Sequence, residues 1–396
     1  MKKVMVIGAS ILQLPAILKA KEMGYQSIAV DMDKDAIGFK HADVCLEIST
    51  IDIPKVIEAA KQYGIDGVVT VGTDMPVRTM AALASELNIV GNSMDTAIKA
   101  TNKAEMRECL KQHNVPIPVF YRANSYEEYL SATKNFTGRF IVKPADNSGS
   151  RGVYLVEDGR DKDDVKYAYE YSKKYSRCGE ILVEDYMVGQ EFSVESLSVD
   201  GEVYVIAVTD KLTNGAPRFV ELGHSQPTRL PDEVRKQVEA VTVAAVKALG
   251  IKNGPSHTEV MVTSEGPKIV ELGARPAGDN VTSFLIPLST GVDMVKCCIQ
   301  MALGQKPDLE RKINMGSAIR YFETPSGRIK EIRGVQEAEK IPGVKQIAFV
   351  KNVGDTVGEI YNSTDRMGFV IAQAETAEGA VKVCEEAKAK ITICVE

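Results

Sequence analysis

Ser256-His257-Thr258-Glu259-Val260-Met261-Val262 reads as a strand, Thr263-Ser264-Glu265-Gly266-Pro267 as a turn, and Lys268-Ile269-Val270-Glu271 as the returning strand. Glu259 and Glu271 are equidistant from Glu265. In a hairpin symmetric about Glu265 the two carboxylates lie opposite one another, with Cβ atoms roughly 4.5–5.5 Å apart. Like charges so placed repel unless a cation sits between them. A hard divalent metal removes the conflict, and Mg²⁺ takes carboxylate oxygens together with phosphate oxygens. Strand alternation puts His257 on the face of Glu259. A solvated surface hairpin carries the same letters, and a one-residue slip sends the two acids to opposite faces.

The chain continues Glu271-Leu272-Gly273-Ala274-Arg275-Pro276-Ala277-Gly278-Asp279-Asn280. Small residues let a ligand approach the backbone. Arg275 is suited to clamp a phosphate or carboxylate through two parallel hydrogen bonds. Asp279 is suited to hold an amine or to act as a base. An ordinary loop around a paired arginine is the plainer reading.

Two upstream stretches add to this. Phe140-Ile141-Val142-Lys143-Pro144-Ala145-Asp146-Asn147-Ser148-Gly149-Ser150-Arg151-Gly152-Val153 delivers Lys143 on a strand and follows it with a loop rich in Gly and Ser. Such a loop can fold N–H groups and hydroxyls over phosphates. It lacks the G-K-[ST] ending and the following helix of a Walker loop, so a flexible lid or polar hairpin is the other reading. Ile181-Leu182-Val183-Glu184-Asp185-Tyr186 ends an apolar strand in acids and leads through Gly189-Gln190-Glu191 to another strand. Glu184 and Glu191 suit the hydroxyls of a nucleoside, and the backbone between them its base. Taken alone, this is a strand connection with exposed acids.

Composition bounds these readings. With 396 residues, 44% hydrophobic and 26% charged, the chain suits two to four globular domains and excludes extensive disorder. A net charge of −6 argues against nucleic acid as a partner. No apolar run reaches the roughly 18 residues of a membrane span. Lys2 and Lys3 precede an apolar stretch, but Gln13 and Pro15 interrupt it and no small-x-small cleavage site follows, so no secretory leader is expected. The seven cysteines show no C-x-x-C spacing; reduced thiols and a cytoplasmic location are expected.

Hydrophobic periodicity sets the organisation. Val4–Ile7, a turn at Gly8, a helix over Leu14–Met23 ended by Gly24, and Ser27–Val30 ending at Asp31 make a βαβ start. Val44–Ile48, Pro54–Tyr63, Gly67–Val71, Met75–Leu87 and a short strand at Ile89-Val90 continue it. Residues 1–92 thus form a parallel α/β domain. The G-x-G-x-x-G fingerprint of dinucleotide binding is absent after Gly8. One helix is expected over Ser93–Gln112, and Pro116 and Pro118 break the chain after it. Residues 93–310 then read as an α+β domain with few helices. Asp200-Gly201 is a hairpin turn and Asp232–Leu249 a helix ended by Gly250. Residues 311–396 read as a small α+β cap with one helix, Glu378–Ala389.

In this order, Lys143-Pro144, Ser148-Gly149-Ser150-Arg151-Gly152, Glu184, Gly189-Gln190-Glu191, Glu259 and Glu271…Arg275 resemble the ATP-grasp superfamily of carboxylate–amine ligases. Glu271–Asp279 is most similar to its L-amino-acid α-ligase, or dipeptide synthase, group. The resemblance spans nearly the whole chain. It implies an ATP-grasp fold of mixed α/β and α+β class, with a Rossmann-like pre-ATP-grasp domain (1–92), an ATP-grasp domain (93–310; lid lobe about 115–185, larger lobe about 186–310) and a C-terminal α+β domain (311–396). By resemblance, Lys103 and Lys143 meet ATP phosphates, and Ser148, Gly149, Ser150, Arg151 and Gly152 form the mobile loop. Glu184, Asp185 and Tyr186 match the adenine hinge, and Glu191 the ribose acid. Glu259 and Glu271 match the ligands of Mg²⁺, or of Mn²⁺ in its place. Many members carry Asn two residues after the second acid, also as a ligand; here it is Gly273. Arg275 and Asp279 inherit catalytic roles at the acyl phosphate and the amine. His257, Gly278, Asn280, Arg320 and Asp74 are candidates to touch substrate.

The implied activity is ATP-dependent amide formation through an acyl phosphate, on small-molecule carboxylate and amine substrates, releasing ADP and phosphate. Amino-acid substrates are the first reading. A purine-pathway or biotin-carboxylase-like enzyme is the second, and a non-catalytic nucleotide-binding protein the third. Homodimers are common in the superfamily.

Overall fold

The computed structural model describes all 396 residues. Val44–Glu47, Gln26–Asp31, Lys3–Ile7 and Gly67–Val69 pair in that order as a parallel sheet. Leu14–Glu22, Ile53–Tyr63 and Val77–Leu87 are its helices. Ile89-Val90 forms no strand: Asn88 ends the preceding helix in the left-handed region and Ile89 N–H folds back onto Ala84 O. The turn after the first strand is braced by its own side chains. Gly8, at φ +98°, packs against the buried side chain of Gln13, whose Oε1 accepts from Ser10, while Asp31 accepts from Ala9 N–H at 2.7 Å.

A single helix over 93–112 does not form. Met94–Thr101 and Lys103–Gln112 are separate, and Asn102 between them is extended, at φ −129°. Its side chain accepts from Ala104 N–H and Glu105 N–H, satisfying donors that a new helix leaves open. Lys103 therefore sits at the first position of a capped helix, and its own N–H bonds Ala145 O.

A four-stranded antiparallel sheet follows, in the order Phe120–Ala123, Ile181–Asp185, Phe140–Pro144, Tyr154–Val156. Two helices that the sequence reading lacks, Tyr126–Thr133 and Lys162–Tyr175, pack Tyr129, Val165 and Ala168 against Phe140 and Val183. The centre is an eight-stranded antiparallel sheet. Its order is Gly266–Gly273, Gly254–Thr263, Gly189–Val199, Glu202–Thr213, Glu221–Gln226, Gly316–Tyr321, Gly368–Ala374, Val344–Phe349. The Asp200-Gly201 turn has φ +51° and +85°, as a type I′ hairpin requires. Asp232–Leu249 covers one face through Val238, Val241 and Ala245. Two further unexpected helical segments, Val281–Thr290 and Met294–Ala302, enter the other face; Val295 and Ile299 also complete the core of the N-terminal sheet. Three strands beyond residue 311 extend this central sheet, joined to it through Glu221–Gln226 and Gly316–Tyr321. Ala377–Lys390 packs against them. No single helix is long and apolar enough to cross a membrane.

The carboxylate hairpin holds a compensation. Its turn is only Ser264-Glu265, because Thr263 pairs with Gly266. That centre is half a residue away from Glu265. A bulge restores the symmetry: Val260 pairs with Ile269, Glu259 with Glu271, and Val270 has no partner between them.

Asn102→Ala is expected to lower the unfolding free energy by about 1 kcal/mol, the typical worth of an N-cap, while Asn102→Asp stays near wild type. Urea denaturation measures both; an unchanged Asn102→Ala midpoint contradicts the capping role.

Candidate active site

Adjacent strands bring the first charge cluster together. Lys143 on Phe140–Pro144 and Glu184 on Ile181–Asp185 meet at 2.6 Å, Nζ to Oε2. Arg107, on the helix that Asn102 caps, donates Nε to Glu184 Oε1 at 2.7 Å and Nη2 to Oε2 at 3.2 Å. Its Nη2 also reaches Val270 O at 2.7 Å, and its Nη1 has no partner. All three side chains are buried. Burial alone would raise the Glu184 carboxyl, but Arg107 and Lys143 hold it down at about 2. Burial also keeps Lys143 below its ordinary value, against the pull of Glu184. Two buried cations thus share one acid, and a positive charge is left over. The Glu184 carboxylate is thus held between two cations. Lys103 Nζ stands close by, donating to Asn147 O at 2.5 Å and Glu271 Oε1 at 2.8 Å.

The second cluster has the opposite imbalance. Lys211 on Glu202–Thr213 places Nζ 2.5 Å from Glu191, 3.0 Å from Glu259 and 3.3 Å from Glu221. Three carboxylates converge on one ammonium. Burial and the neighbouring Glu259 push the Glu191 carboxyl up to about 7, against the pull of Lys211. Burial would lower the Lys211 pKa, but the three acids together raise it. His257 joins the cluster: Nδ1 lies 2.6 Å from buried Glu195 and Nε2 3.5 Å from Glu259. Burial would lower its pKa, and the carboxylates outweigh that, raising it to about 9.

Beyond Glu271, Arg275 is held by Asp74 of the N-terminal sheet's loop, Nε to Oδ1 at 2.8 Å and Nη2 to Oδ2 at 3.0 Å. Asp74 therefore faces Arg275 with both oxygens. Asp279, at φ +52°, receives Arg366 on both oxygens, at 2.6 and 2.7 Å, and His224 Nε2 at 3.3 Å. Burial would raise its pKa, but Arg366 and His224 hold the carboxylate far below the usual range. A base role for Asp279 does not fit this setting. Arg366 stacks over Tyr321 at 3.8 Å.

Three adjoining cavities collect these groups, and Ser148 lines all of them. One of about 170 Å³ holds Lys103, Lys143, Ser148–Arg151, Glu184–Tyr186, Glu191, Glu259 and Glu271. A second, of about 330 Å³, holds Asp74, His224, His257, Arg275, Gly278 and Asp279, with only Leu12, Ala277 and Val281 as apolar lining. The third, of about 370 Å³, opens toward Arg78 and Arg177. Arg320, Asn280 and Gly152 line none of the three. Arg320 donates to His224 O and Ile319 O and faces Glu385 instead. Asn280 caps the turn into Val281–Thr290 through its carbonyl. Gly152 is tight packing: a Cβ there would stand 2.7 Å from Tyr175 and 2.8 Å from Pro144. The loop above the cleft touches the far side, with Ser150 Oγ donating to Phe219 O at 3.4 Å.

Sequence reasoning missed Arg107, Lys211, Glu221, His224 and Arg366. Lys211 and His224 are charged or polar residues within alternating strands, directly paired across the ladder, and that alternation was a usable signal. Arg366 has no local signal; its partner lies 87 residues away.

A metal ion can be tested against these residues. No group of three or more His, Cys, Asp or Glu side chains is preassembled to hold one. Glu259 opposite Glu271 is a two-carboxylate set, and the acids around Lys211 already gather on a cation. This suits Mg²⁺, which keeps several positions for water and phosphate oxygens.

Comparisons with known proteins agree with this geometry. An ATP-grasp domain matches residues 136–283, and an L-amino acid ligase C-terminal domain 2 matches residues 320–396. A phosphoribosylamine–glycine ligase of Methanococcus vannielii is 29% identical over 366 residues, covering 85% of this chain and 82% of the relative. An L-arginine-specific L-amino acid ligase of Bacillus subtilis is 23% identical over 330 residues, covering 82% and 79%. The crystal structure of an L-amino acid ligase from Bacillus licheniformis superposes with a TM-score of 0.85 at 23% identity, covering 100% of this chain and 99% of that one.

Protonated His257 stabilises the fold below about pH 6.5, and that contribution is lost as pH rises through about 9, because the folded-state pKa is the raised one. In metal-free urea titrations the margin of wild type over His257→Gln should shrink by about 3 kcal/mol across that window. A margin independent of pH contradicts the charged imidazole.

Proposed function

We propose that this chain, which belongs to the ATP-grasp carboxylate–amine ligases, joins the carboxylate of one amino acid to the amine of another at the expense of ATP. The observation that carries the reading is the pairing of oppositely unbalanced clusters in one cleft. The surplus positive charge at Lys143 and Arg107 calls for phosphate, and the surplus carboxylates around Lys211 call for a cation. A nucleotide triphosphate with a divalent ion answers both. The matched C-terminal domain supports the amino-acid substrate class.

In this reading Lys143 and Lys103 hold the phosphates, and Ser148–Arg151 close over them. Backbone groups of Asp185 and Tyr186 face the base, and Glu191 the ribose. Mg²⁺ held by Glu259 and Glu271 would supply neutralisation of charge on the transferring phosphate. The substrate carboxylate attacks the γ-phosphorus, forming an acyl phosphate and ADP. Arg275 stabilises the oxyanion of the tetrahedral intermediate as the amine attacks, and inorganic phosphate leaves. His224 faces Asp279 through Nε2 at 3.3 Å and helps to hold that carboxylate in place, while its Nδ1 is buried without a partner. The departing phosphate carries away the amine's proton. The loop contact between Ser150 and Phe219 keeps water from the acyl phosphate.

The relative that joins phosphoribosylamine to glycine supports a second reading, in which the amine is not an amino acid. ADP and phosphate release, measured with Mg²⁺–ATP across amino acids singly and in pairs, separates the two. Release needing two amino acids, with a condensed product by mass, supports the first. Silence across all pairs with nucleotide binding intact overturns it, and the matrix is then repeated with phosphoribosylamine plus glycine and with bicarbonate. Glu271→Gln should lower turnover about 100-fold or more, as expected when charge neutralisation worth several kcal/mol is lost. Unchanged turnover removes Glu271 from the metal site.

A further inference from the structure

Arg275 is not held by its own domain. The carboxylate that chelates it belongs to the loop after the fourth strand of the N-terminal sheet, 201 residues away in sequence. The pair is largely enclosed, with 13% of the Arg275 side chain and 15% of Asp74 exposed. The approach depends on Gly273. A Cβ there would stand 2.7 Å from Asp74 Oδ1 and 3.3 Å from Arg275 Nε, so the carboxylate would have to move off its present position. A second contact fixes the same loop independently. Gly72 N–H donates to Pro276 O at 3.1 Å, and a Cβ on Gly72 would meet Gly278 Cα at 3.1 Å. Two glycines on one side and one on the other let two backbones press together beside the guanidinium.

We propose that Asp74 is a positioning residue for Arg275, delivered by the N-terminal domain into a space that Gly273 keeps open. This rests on the reading that Arg275 acts at the acyl centre. A guanidinium has five N–H donors. Asp74 takes two and Pro276 O one, at 3.3 Å, which leaves two in fixed directions for the developing oxyanion. Donors already aimed need no reorganisation when charge develops. A long arginine without this clamp samples several rotamers, and a misplacement of about 1 Å is enough to cost on the order of 100-fold in rate. The N-terminal domain thus contributes to the chemical step through Arg275, besides forming one wall of the cleft.

A double-mutant cycle on the full chain tests this, using an amino-acid pair that supports turnover. Asp74→Ala should lower kcat about 100-fold with KM for ATP nearly unchanged, and Gly273→Ala should act in the same direction. Amide formed per phosphate released should fall in both, because an unheld acyl phosphate meets water. Asp74→Ala/Gly273→Ala should be no worse than the poorer single variant, since the methyl at 273 has nothing left to displace. An ion pair that only fastens the domains together would lower thermal stability and leave the amide-to-phosphate ratio at its wild-type value. That outcome, or two penalties that simply multiply, overturns the proposal. Should Asp74→Ala fail to fold, Asp74→Asn keeps the shape and one acceptor, and the same ratio decides. A wild type that forms no amide from any pair overturns the amino-acid ligase reading, not this one. Calorimetric binding of inorganic phosphate beside Mg²⁺–ADP is then the readout. It should weaken equally in Asp74→Ala and Arg275→Ala; full binding in Asp74→Ala overturns the proposal.

Discussion

Two clusters of opposite net charge, one buried and one partly exposed, face one cleft, and the rest of the site follows from their imbalance. Arg107 and Lys143 share a single acid, Glu184, whereas Glu191, Glu221 and Glu259 crowd one ammonium, Lys211, and His257 adds a cation only together with a further acid, Glu195. Isolated buried charge is expensive, and pairing lowers the cost only where geometry is good. Each cluster is therefore paired as far as it can be, yet each keeps a surplus. Their surpluses cannot cancel one another, because different strands and a helix hold them in place. A ligand carrying both signs matches both clusters, and a metal–nucleotide complex is such a ligand.

The fold supplies these groups through local devices that each have a simple cause. Asn102 ends one helix and starts another, which puts Lys103 at the cleft edge and aims Arg107 inward from the same helix. Adjacent antiparallel strands give Lys143 and Glu184. The bulge at Val270 turns Glu271 toward Glu259 and also frees the Val270 carbonyl to accept from Arg107. One unpaired residue thus links the carboxylate hairpin to the Arg107–Lys143–Glu184 cluster. Asp74 then ties the N-terminal sheet to Arg275. Residue 366 adds the last contact through Asp279.

Much of this was legible in sequence, though not always for the reason given. The βαβ start and the helix over Asp232–Leu249 followed from periodicity and glycine caps, and the structure has them. Glu259 does lie opposite Glu271, but a symmetric turn at Glu265 is not the cause; a shorter turn and a bulge offset each other. The helices at Tyr126–Thr133 and Lys162–Tyr175 were hidden because their sequences are polar, although Ser125 and Asp161 are sound N-caps. Roles that depend on long-range partners were the least visible. Glu184 and Asp279 read as acids free for ligand, yet Arg107 and Arg366 claim them, and neither arginine lies near its partner in the chain. Side-chain periodicity reports a face; it says nothing of which charge waits across the gap.

Calorimetric titration of ADP into the full chain, with and without Mg²⁺, tests the paired imbalance most directly. The account predicts that Mg²⁺ tightens nucleotide binding at least about tenfold, since only the metal complex satisfies both clusters, and that Glu259→Gln removes most of that gain. Equal affinity for ADP in the presence and absence of Mg²⁺ would contradict it.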